Sequence, residues 1–293
     1  MIMEGINVLS LFDGMPCGRI ALQKANIDVN NYYASELDKY AIKVTQANWP
    51  KTIQMGDVTK WREWDIDWAS IDLLIGGSPC QGFSFAGKQL AFDDPRSALF
   101  FEYLNILNHI KAVNPSVKFF LENVRMKKEH LELISKFLNV EPVFINSNLV
   151  SAQNRQRFYW SNWTIEQPKD ENVLLDDVLQ KNEEIEGKFF LSEKGFNYMD
   201  REREPGKKRW NWVDSLDDKK SKTLTAVLHK GVPYGVIKLS KNMARRYTPI
   251  ECERLQTVPD NFTNHVSNTQ RYKMLGNGWT VDVVAHIFKG LVV

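Results

Sequence analysis

The chain has 293 residues, a length for about two domains or one large α/β domain carrying an insertion. Hydrophobic residues at 43%, charged residues at 25%, 16 glycines and 11 prolines exclude fibrous, low-complexity and wholly disordered classes. With 38 Lys and Arg against 36 Asp and Glu the formal net charge is +2, so any nucleic-acid contact must come from local placement of charge.

No apolar run approaches the roughly 18 residues of a membrane helix, and Glu4 stands where a secretion signal carries its basic end. A soluble, cytoplasmic protein with no membrane partner is expected. Cys17, Cys80 and Cys252 are far apart and form no Cys-x-x-Cys pair, which argues against a disulfide framework or a structural zinc site. A reducing compartment and no metal are expected.

The first half alternates β-rich runs with helical periods, the pattern of βαβ units around a parallel sheet. Strands are predicted at Ile6–Phe12, Asn31–Ser35, Ile71–Ile75, Val117–Leu121, Val143–Leu149 and Arg157–Ser161. Helices are predicted at Gly18–Ala25, Lys39–Asn48, Ala98–Val113 and Leu131–Leu138. Ile71–Ile75 is wholly apolar apart from Asp72 and is stopped by Gly76-Gly77, as in a strand buried on both faces. After Trp163 the pattern changes: Asp170 to Lys188 is acidic and irregular, and Asp200 to Lys222 is dense in both charges, with Trp210 and Trp212 interleaved. Regular patterning returns at Thr248–Leu255, with Thr248 as N-cap and Pro249 in the first turn, and at Val281–Leu291. The expected domains are residues 1–163, residues 164–269, and a segment 270–293 returning to the first. No internal repeat is evident.

Three successive strand tips carry groups suited to a nucleoside. Asp13-Gly14 closes the first strand, where backbone amides and a helix N-terminus meet a ligand in doubly wound sheets. The loop lacks the Gly-x-Gly-x-x-Gly dinucleotide pattern, so this signal is weak alone. Glu36, at the second tip, is placed for ribose hydroxyls, and Asp57, at the third, for an adenine amino group. Either carboxylate alone reads as a solvated loop residue; together they favour a nucleoside cofactor. In Gly77-Ser78-Pro79-Cys80-Gln81-Gly82-Phe83-Ser84 an open, glycine-flanked loop presents a cysteine. Such a cysteine is a candidate nucleophile, although a lone cysteine is more often a small buried hydrophobe. Glu122 follows another buried strand and is a candidate proton donor; a helix cap at Asn123 is the plain reading.

Taken in order, Leu11-Phe12-Asp13-Gly14, Glu36, Gly56-Asp57-Val58, Gly77-Ser78-Pro79-Cys80-Gln81, Glu122-Asn123-Val124, Gln153-Asn154-Arg155-Gln156-Arg157 and Gly276-Asn277 carry a resemblance. The chain resembles the cytosine-C5 DNA methyltransferases over nearly its whole length. Its compactness and Gln81 to Ser84 look bacterial or phage-like, while Leu11 to Gly14, Ser97 to Glu102 and Val150 to Ala152 are similar to the mammalian de novo branch. Pro16 and Cys17 stand where most bacterial relatives have glycines, and Gly278-Trp279 follow Asn277 in place of Ser-Val.

The resemblance implies a Rossmann-like S-adenosylmethionine-dependent methyltransferase domain with a smaller target-recognition domain. It implies S-adenosylmethionine as cofactor, S-adenosylhomocysteine as product, double-stranded DNA as partner, a monomer, and a cognate restriction nuclease as an open question. By position, Cys80 attacks cytosine C6, Glu122 holds or protonates N3, Arg155 contacts O2, and Arg157 anchors the same loop or a phosphate. Phe12, Asp13, Gly14, Glu36, Leu37, Asp57, Val58, Pro79, Leu99, Asn277, Gly278 and Trp279 are carried over as cofactor contacts, with Phe12 and Leu37 sandwiching the adenine. Ser84, Gln153, Arg201, Arg203, Lys207, Lys208, Arg209, Trp210, Arg245 and Arg246 are expected on DNA. The last two belong to a basic run with Lys238 and Lys241 suited to phosphates. One alternative is a tRNA cytosine-C5 methyltransferase with the same core, whose Cys-Phe-Thr signature is not found here. The other is a catalytically silent DNA-binding accessory paralogue, which would be expected to lose Cys80, Glu122 and Arg155.

Overall fold

The computed structural model describes residues 5–78, 98–204, 207–208 and 213–291. In chain order its elements are β1 (Ile6–Leu11), α1 (Cys17–Lys24), β2 (Val29–Ser35), α2 (Lys39–Asn48), β3 (Ile53–Gln54), β4 (Leu73–Gly76), α3 (Ala98–Val113), β5 (Lys118–Val124), α4 (Lys128–Leu138), β6 (Val143–Asn146) and β7 (Gln156–Ser161). There follow α5 (Leu175–Val178), α6 (Glu193–Asp200), β8 (Glu202–Glu204), β9 (Lys207–Lys208), β10 (Asp214–Ser215), β11 (Val236–Lys238), β12 (Ala244–Arg246), α7 (Pro249–Leu255), α8 (Asn268–Asn277) and α9 (Val281–Phe288). The chain divides into two compact units. Unit 1 is Met1–Asn146, Gln156–Pro168 and Val281–Val293; unit 2 is Ser147–Arg155 and Lys169–Thr280.

Unit 1 is built on a seven-stranded sheet of order β3-β2-β1-β4-β5-β7-β6. The first five strands run parallel, and β7 runs antiparallel to both β5 and β6. Val8, Leu9 and Leu11 of β1 and Leu73, Leu74 and Ile75 of β4 are fully buried, as in parallel strands covered on both faces. Helix α3 presents Phe100, Tyr103, Leu104, Ile106, Leu107 and Ile110 at helical spacing to the same core as Leu9, Leu11, Leu74, Phe119 and Leu121. Each fully buried side chain of this size contributes roughly 1.5–3 kcal/mol. Gly76 ends β4 because a Cβ there would lie 3.0 Å from ring atoms of Tyr103 and 3.3 Å from the Leu11 carbonyl.

Two strand ends differ from the sequence reading. β5 continues through Val124, so Glu122 lies inside the strand rather than after it. Pairing with β7, Glu122 opposite Tyr159 and Val124 opposite Arg157, extends the ladder past the last apolar residue. The strand predicted at Val143–Leu149 stops at Asn146, and Ser147–Leu149 forms a 3-10 turn. Helix α8 was hidden by its polar run Asn-Thr-Gln-Arg-Tyr-Lys, although Arg271, Tyr272 and Leu275 are buried. α8 also moves a boundary: residues 270–280, expected to return to the first domain, belong to unit 2. There the Tyr272 hydroxyl donates to the Tyr247 carbonyl at 2.6 Å, and Gly276 meets the backbone of Thr225 and Ala226. The first boundary falls at Lys169 rather than residue 164, and Ser147–Arg155 joins unit 2.

Unit 2 holds a three-stranded sheet β10-β11-β12 and the hairpin β8-β9. Helix α7 starts as the sequence suggests: Thr248 Oγ1 accepts from the Glu251 amide at 3.2 Å and Glu251 Oε2 accepts from the Thr248 amide at 2.8 Å, a capping box with Pro249 in the first turn. The same Glu251 receives both terminal nitrogens of Arg245 at 2.7 and 2.8 Å, with the two side chains 1% and 0% exposed. Arg245 Nε donates to Asn182 Oδ1 at 2.9 Å. This corrects the expectation of phosphate contact for Arg245, whose guanidinium is used up inside unit 2. Arg246 is half-buried, donates to the Leu228 carbonyl at 2.7 Å and lies 4.9 Å above the Tyr272 ring.

The loop after β1 is constrained by its neighbours. Phe12 and Gly14 both have φ of 58°, and the Asp13 amide donates to the Ser35 carbonyl at 3.1 Å. Asp13 Oδ1 accepts from Ser10 Oγ at 2.6 Å and from the Tyr32 hydroxyl at 2.7 Å. Asp13 Oδ2 is buried with no hydrogen-bond partner among the described residues. Burial pushes the Asp13 carboxyl up from 3.8 to about 7; the hydrogen bonds from Ser10 and Tyr32 oppose this, and the charge of Glu36 adds to it.

Two outcomes follow from these buried groups. Arg245→Met leaves the Glu251 carboxylate buried without its partner and should cost about 3–5 kcal/mol in urea unfolding. A loss below about 1 kcal/mol would show that the pair is not held as described. For Asp13 the folded state binds the proton more tightly than the unfolded chain, so stability falls as pH rises from about 4 to about 7 and levels off above. Asp13→Asn, which keeps an acceptor for Ser10 and Tyr32, should therefore gain melting temperature over the wild type progressively from pH 5 to pH 7. A gain that is constant with pH would contradict it.

Candidate active site

In unit 1, β1 and β4 are neighbours, with Leu11 opposite Gly76. From β1 the sheet continues one way to β2 and β3, and from β4 the other way to β5. Ligands of doubly wound sheets lie outside the carboxyl ends at such a reversal. At that edge Glu36 Oε2 accepts from the Gly14 amide at 2.7 Å, and Oε1 from the Leu37 and Asp38 amides, each at 2.7 Å. A carboxylate has about four acceptor sites, so capacity remains for ribose hydroxyls. Leu37 beside it is 70% exposed, an apolar platform at the edge. Asp57 caps the 3-10 turn Val58–Glu63 by accepting from the Thr59 amide and hydroxyl, which hold its carboxyl below the usual range. The Ser35 hydroxyl donates to the Gly56 carbonyl at 2.7 Å and joins the second and third tips.

The other expected cofactor residues of unit 1 divide by burial. Phe12 and Leu99 are partly buried against the main core, leaving part of each side chain accessible. Val58 is 6% exposed and packs in that core, so its side chain is structural and only its backbone remains for a ligand. A non-glycine residue in the left-handed region, as Phe12 is, costs about 1–3 kcal/mol and is characteristic of functional loops.

Next along the edge stands a charged pair. β5 and β7 place Glu122 and Arg157 on one face, as diagonal cross-strand neighbours. Arg157 Nε lies 2.8 Å from Glu122 Oε1, with the side chains 13% and 10% exposed. Its N–H does not point along that line, so the contact is an ion pair rather than an aligned hydrogen bond. One terminal nitrogen of Arg157 donates to the Gln156 carbonyl at 2.8 Å. Beside them Asn123 Nδ2 donates to the buried Ser78 Oγ at 3.3 Å, which ties the chain leaving β4 to the end of β5. Cys80, Pro79 and Ser84 lie outside the described residues.

Unit 2 changes the reading of the Gln-x-Arg-x-Arg motif. Arg155 is 2% exposed and donates to the carbonyls of Leu224 at 2.9 Å, Gly276 at 3.2 Å and Gly278 at 2.8 Å. It therefore clamps backbone, and the arginine beside Glu122 is Arg157: the two arginines exchange their expected places. Gln153, expected on DNA, is fully buried; it donates to the Leu255 carbonyl at 3.0 Å and accepts from the Leu224 amide at 2.8 Å. Asn277 is exposed, and Gly278 and Trp279 are half-buried, as a ligand-facing segment requires.

Of the expected recognition residues, Arg201 is exposed just past α6, while Arg203, Lys207 and Lys208 lie on the paired strands β8 and β9. Arg209 and Trp210 lie outside the described residues. Lys238, in the expected phosphate run, is paired with Asp200 at 2.5 Å. Sequence reasoning missed the Glu122–Arg157 pair, which only strand register reveals, and Gln256, whose partners Gln153, Leu275, Gly278 and Thr280 are distant in sequence. Among the described residues no group of His, Cys, Asp or Glu could hold a metal ion, and no helix is long and apolar enough to cross a membrane.

The chain matches the family described as C-5 cytosine-specific DNA methylase over residues 6–161 and 147–292. It is 32% identical over 303 residues to the Type II methyltransferase M1.ScrFI of Lactococcus lactis subsp. cremoris, covering 94% of this chain and 75% of that protein. It is 30% identical to the Type II methyltransferase M.NlaX of Neisseria lactamica over 96% of this chain and 94% of that one. In fold it is similar to the Entamoeba histolytica methyltransferase EhMeth, with a TM-score of 0.74 at 17% identity over 98% of each chain. The strand-tip carboxylates of unit 1 and the Glu122–Arg157 pair are thus found in a chain that belongs to the C-5 cytosine-specific DNA methylase family, whose members transfer a methyl group from S-adenosylmethionine to cytosine C5.

Proposed function

We propose that the cytosine is presented in duplex DNA and that Cys80, Glu122 and Arg157 carry the reaction. The observation that carries the chemical part is the Glu122–Arg157 pair at the carboxyl edge of the sheet. The DNA part is supported by the relatives, which are Type II methyltransferases matched over nearly the whole of this chain. A second reading is methylation of a tRNA cytosine by the same chemistry; it would use the same Glu122–Arg157 pair, and the fold match to EhMeth does not separate it from the first.

Cytosine C5 is a weak nucleophile. The Cys80 thiolate adds to C6, forming an S–C6 bond, and the displaced electron pair is drawn toward N3, where Glu122 holds a proton. C5 is then electron-rich. When bound, the cofactor supplies a methyl group activated on a sulfonium. After C5 has gained the methyl group it loses its proton, the S–C6 bond breaks, and the aromatic ring is restored. N3 and the C2 carbonyl are adjacent on the base, so a group beside Glu122 meets O2; Arg157 takes this contact, and Arg155 positions backbone. The base is flipped from the stack at a cost of a few kcal/mol, offset by pocket contacts. Phe12, Asp13, Gly14, Glu36, Leu37, Asp57, Pro79, Leu99, Asn277, Gly278 and Trp279 are proposed to hold the cofactor. Arg201, Arg203, Lys207, Lys208, Arg209 and Trp210 are proposed to meet the nucleic acid.

Purified protein with methyl-labelled S-adenosylmethionine should label cytosine C5 in duplex DNA and leave tRNA unlabelled; label in tRNA alone would overturn the DNA reading. Cys80→Ser should lose methyl transfer yet keep S-adenosylhomocysteine binding, and 5-fluorocytosine DNA should trap the wild type as an adduct. Arg157→Met should lower kcat on the order of 10²-fold by removing charge stabilisation at the base. A kcat within a few-fold of wild type would return the O2 contact to another residue.

A further inference from the structure

Helix α8 leaves its last carbonyls without intrahelical partners, as every helix does, and here they are answered by side chains. The Leu275 carbonyl accepts from Gln256 Nε2 at 2.6 Å, and the Gly278 carbonyl from the same nitrogen at 3.1 Å. Arg155 takes the Gly276 and Gly278 carbonyls. On its acceptor side Gln256 Oε1 receives Gln153 Nε2 at 3.2 Å and Thr280 Oγ1 at 3.0 Å. Gln256 is fully buried. A glutamine has two N–H donors and two carbonyl lone pairs, and all four are engaged. The remaining wall is backbone: a Cβ on Gly276 would come 2.2 Å from the Thr225 carbonyl carbon and 2.4 Å from the Ala226 nitrogen.

We infer that Gln256 is a positioning residue for the cofactor, acting by fixing the path of Gly276–Trp279 out of α8. The inference rests on the assignment of Asn277, Gly278 and Trp279 to the cofactor. Packing alone does not account for an amide here. An apolar side chain of similar volume would fill the space with no polar group to desolvate, whereas this amide is spent on the two carbonyls that flank Asn277. Asn277 itself remains exposed. A segment already held in its bound path loses less freedom when a ligand arrives, so the network acts on affinity. Thr280 acts through Gln256, since its hydroxyl reaches the segment only by way of Oε1.

The test is calorimetric binding of S-adenosylhomocysteine to the full chain, with thermal melting in parallel. Gln256→Met, close in volume and without hydrogen bonds, should weaken binding about tenfold. Thr280→Val should weaken it about threefold, and Thr280→Ser, which keeps the hydroxyl, should bind as wild type. The double variant Gln256→Met/Thr280→Val should be no weaker than Gln256→Met. If Gln256→Met does not fold, the Thr280 pair decides. Gln256→Met or Thr280→Val proteins that melt earlier but bind within about twofold of wild type would overturn the inference and leave the network purely structural. Wild-type protein that takes up no S-adenosylhomocysteine would instead overturn the cofactor assignment beneath it.

Discussion

Burial of β1, β4 and β5 on both faces is the constraint from which the site follows. Val8, Leu9, Leu11, Leu74, Ile75, Phe120 and Leu121 have no exposed surface, and a polar side chain placed among them would be desolvated at a cost of a few kcal/mol. Chemistry is therefore confined to the ends of the strands. Because the strands are parallel, those ends fall on one edge, and Phe12 to Gly14, Glu36, Ser78 and Glu122 are gathered there without any long-range design of their own. Glu122 is the partial exception, lying inside β5. It is tolerated because β7 runs antiparallel alongside and supplies the guanidinium of Arg157.

The arginines show how burial assigns roles. A buried cation must be paired or hydrogen-bonded, and the planar guanidinium suits several acceptors at once. Arg245 is closed on Glu251 and Asn182, Arg271 on Glu253 and Thr263, and Arg155 on three carbonyls. Each has exchanged reactivity for architecture. Arg157 differs in facing a carboxylate at the carboxyl edge of the sheet. Reading Arg245 as part of a phosphate run fails for this reason: sequence adjacency registers charge, while β12 turns Arg245 inward on a capping glutamate.

Hydrophobic period made the sheet legible. β1, α2, α3 and the α7 cap lie within a residue or so of their predicted places, because their signals are local: an apolar-rich run, a helical period, a Thr-Pro start. What could not be read was non-local. The extension of β5 through Glu122 depends on a partner strand more than thirty residues away. Helix α8 is held by Tyr272 on Tyr247 and by Gly276 against Thr225, contacts that leave no period in a polar run. For the site, the family motifs led to a base contact for Arg155, whereas the arginine beside Glu122 is Arg157. The two arginines are two residues apart in sequence, yet Arg155 falls in unit 2 and Arg157 begins the β7 ladder in unit 1. Arg155 lies before β7 and is closed on backbone carbonyls, whereas Arg157 lies within the strand, opposite Val124 and diagonal to Glu122.

Some of the least favourable local geometry lies where ligands are expected. Phe12 is left-handed and Asp13 carries a buried oxygen without a hydrogen-bond partner among the described residues, while Gly14 adopts the left-handed region at no steric cost. Such features persist only where the surroundings over-determine them, and here they do. Leu11 is locked in the sheet on both sides, the Asp13 amide is held by Ser35, and the Gly14 amide by Glu36. A relaxed turn would remove the strain at Phe12. It would also withdraw the Gly14 amide from Glu36 and leave the carboxylate at the second strand tip held through Oε1 alone, by the Leu37 and Asp38 amides. The strain in the first loop and the orientation of the second tip are thus one arrangement, and the buried sheet supplies the stability that holds both.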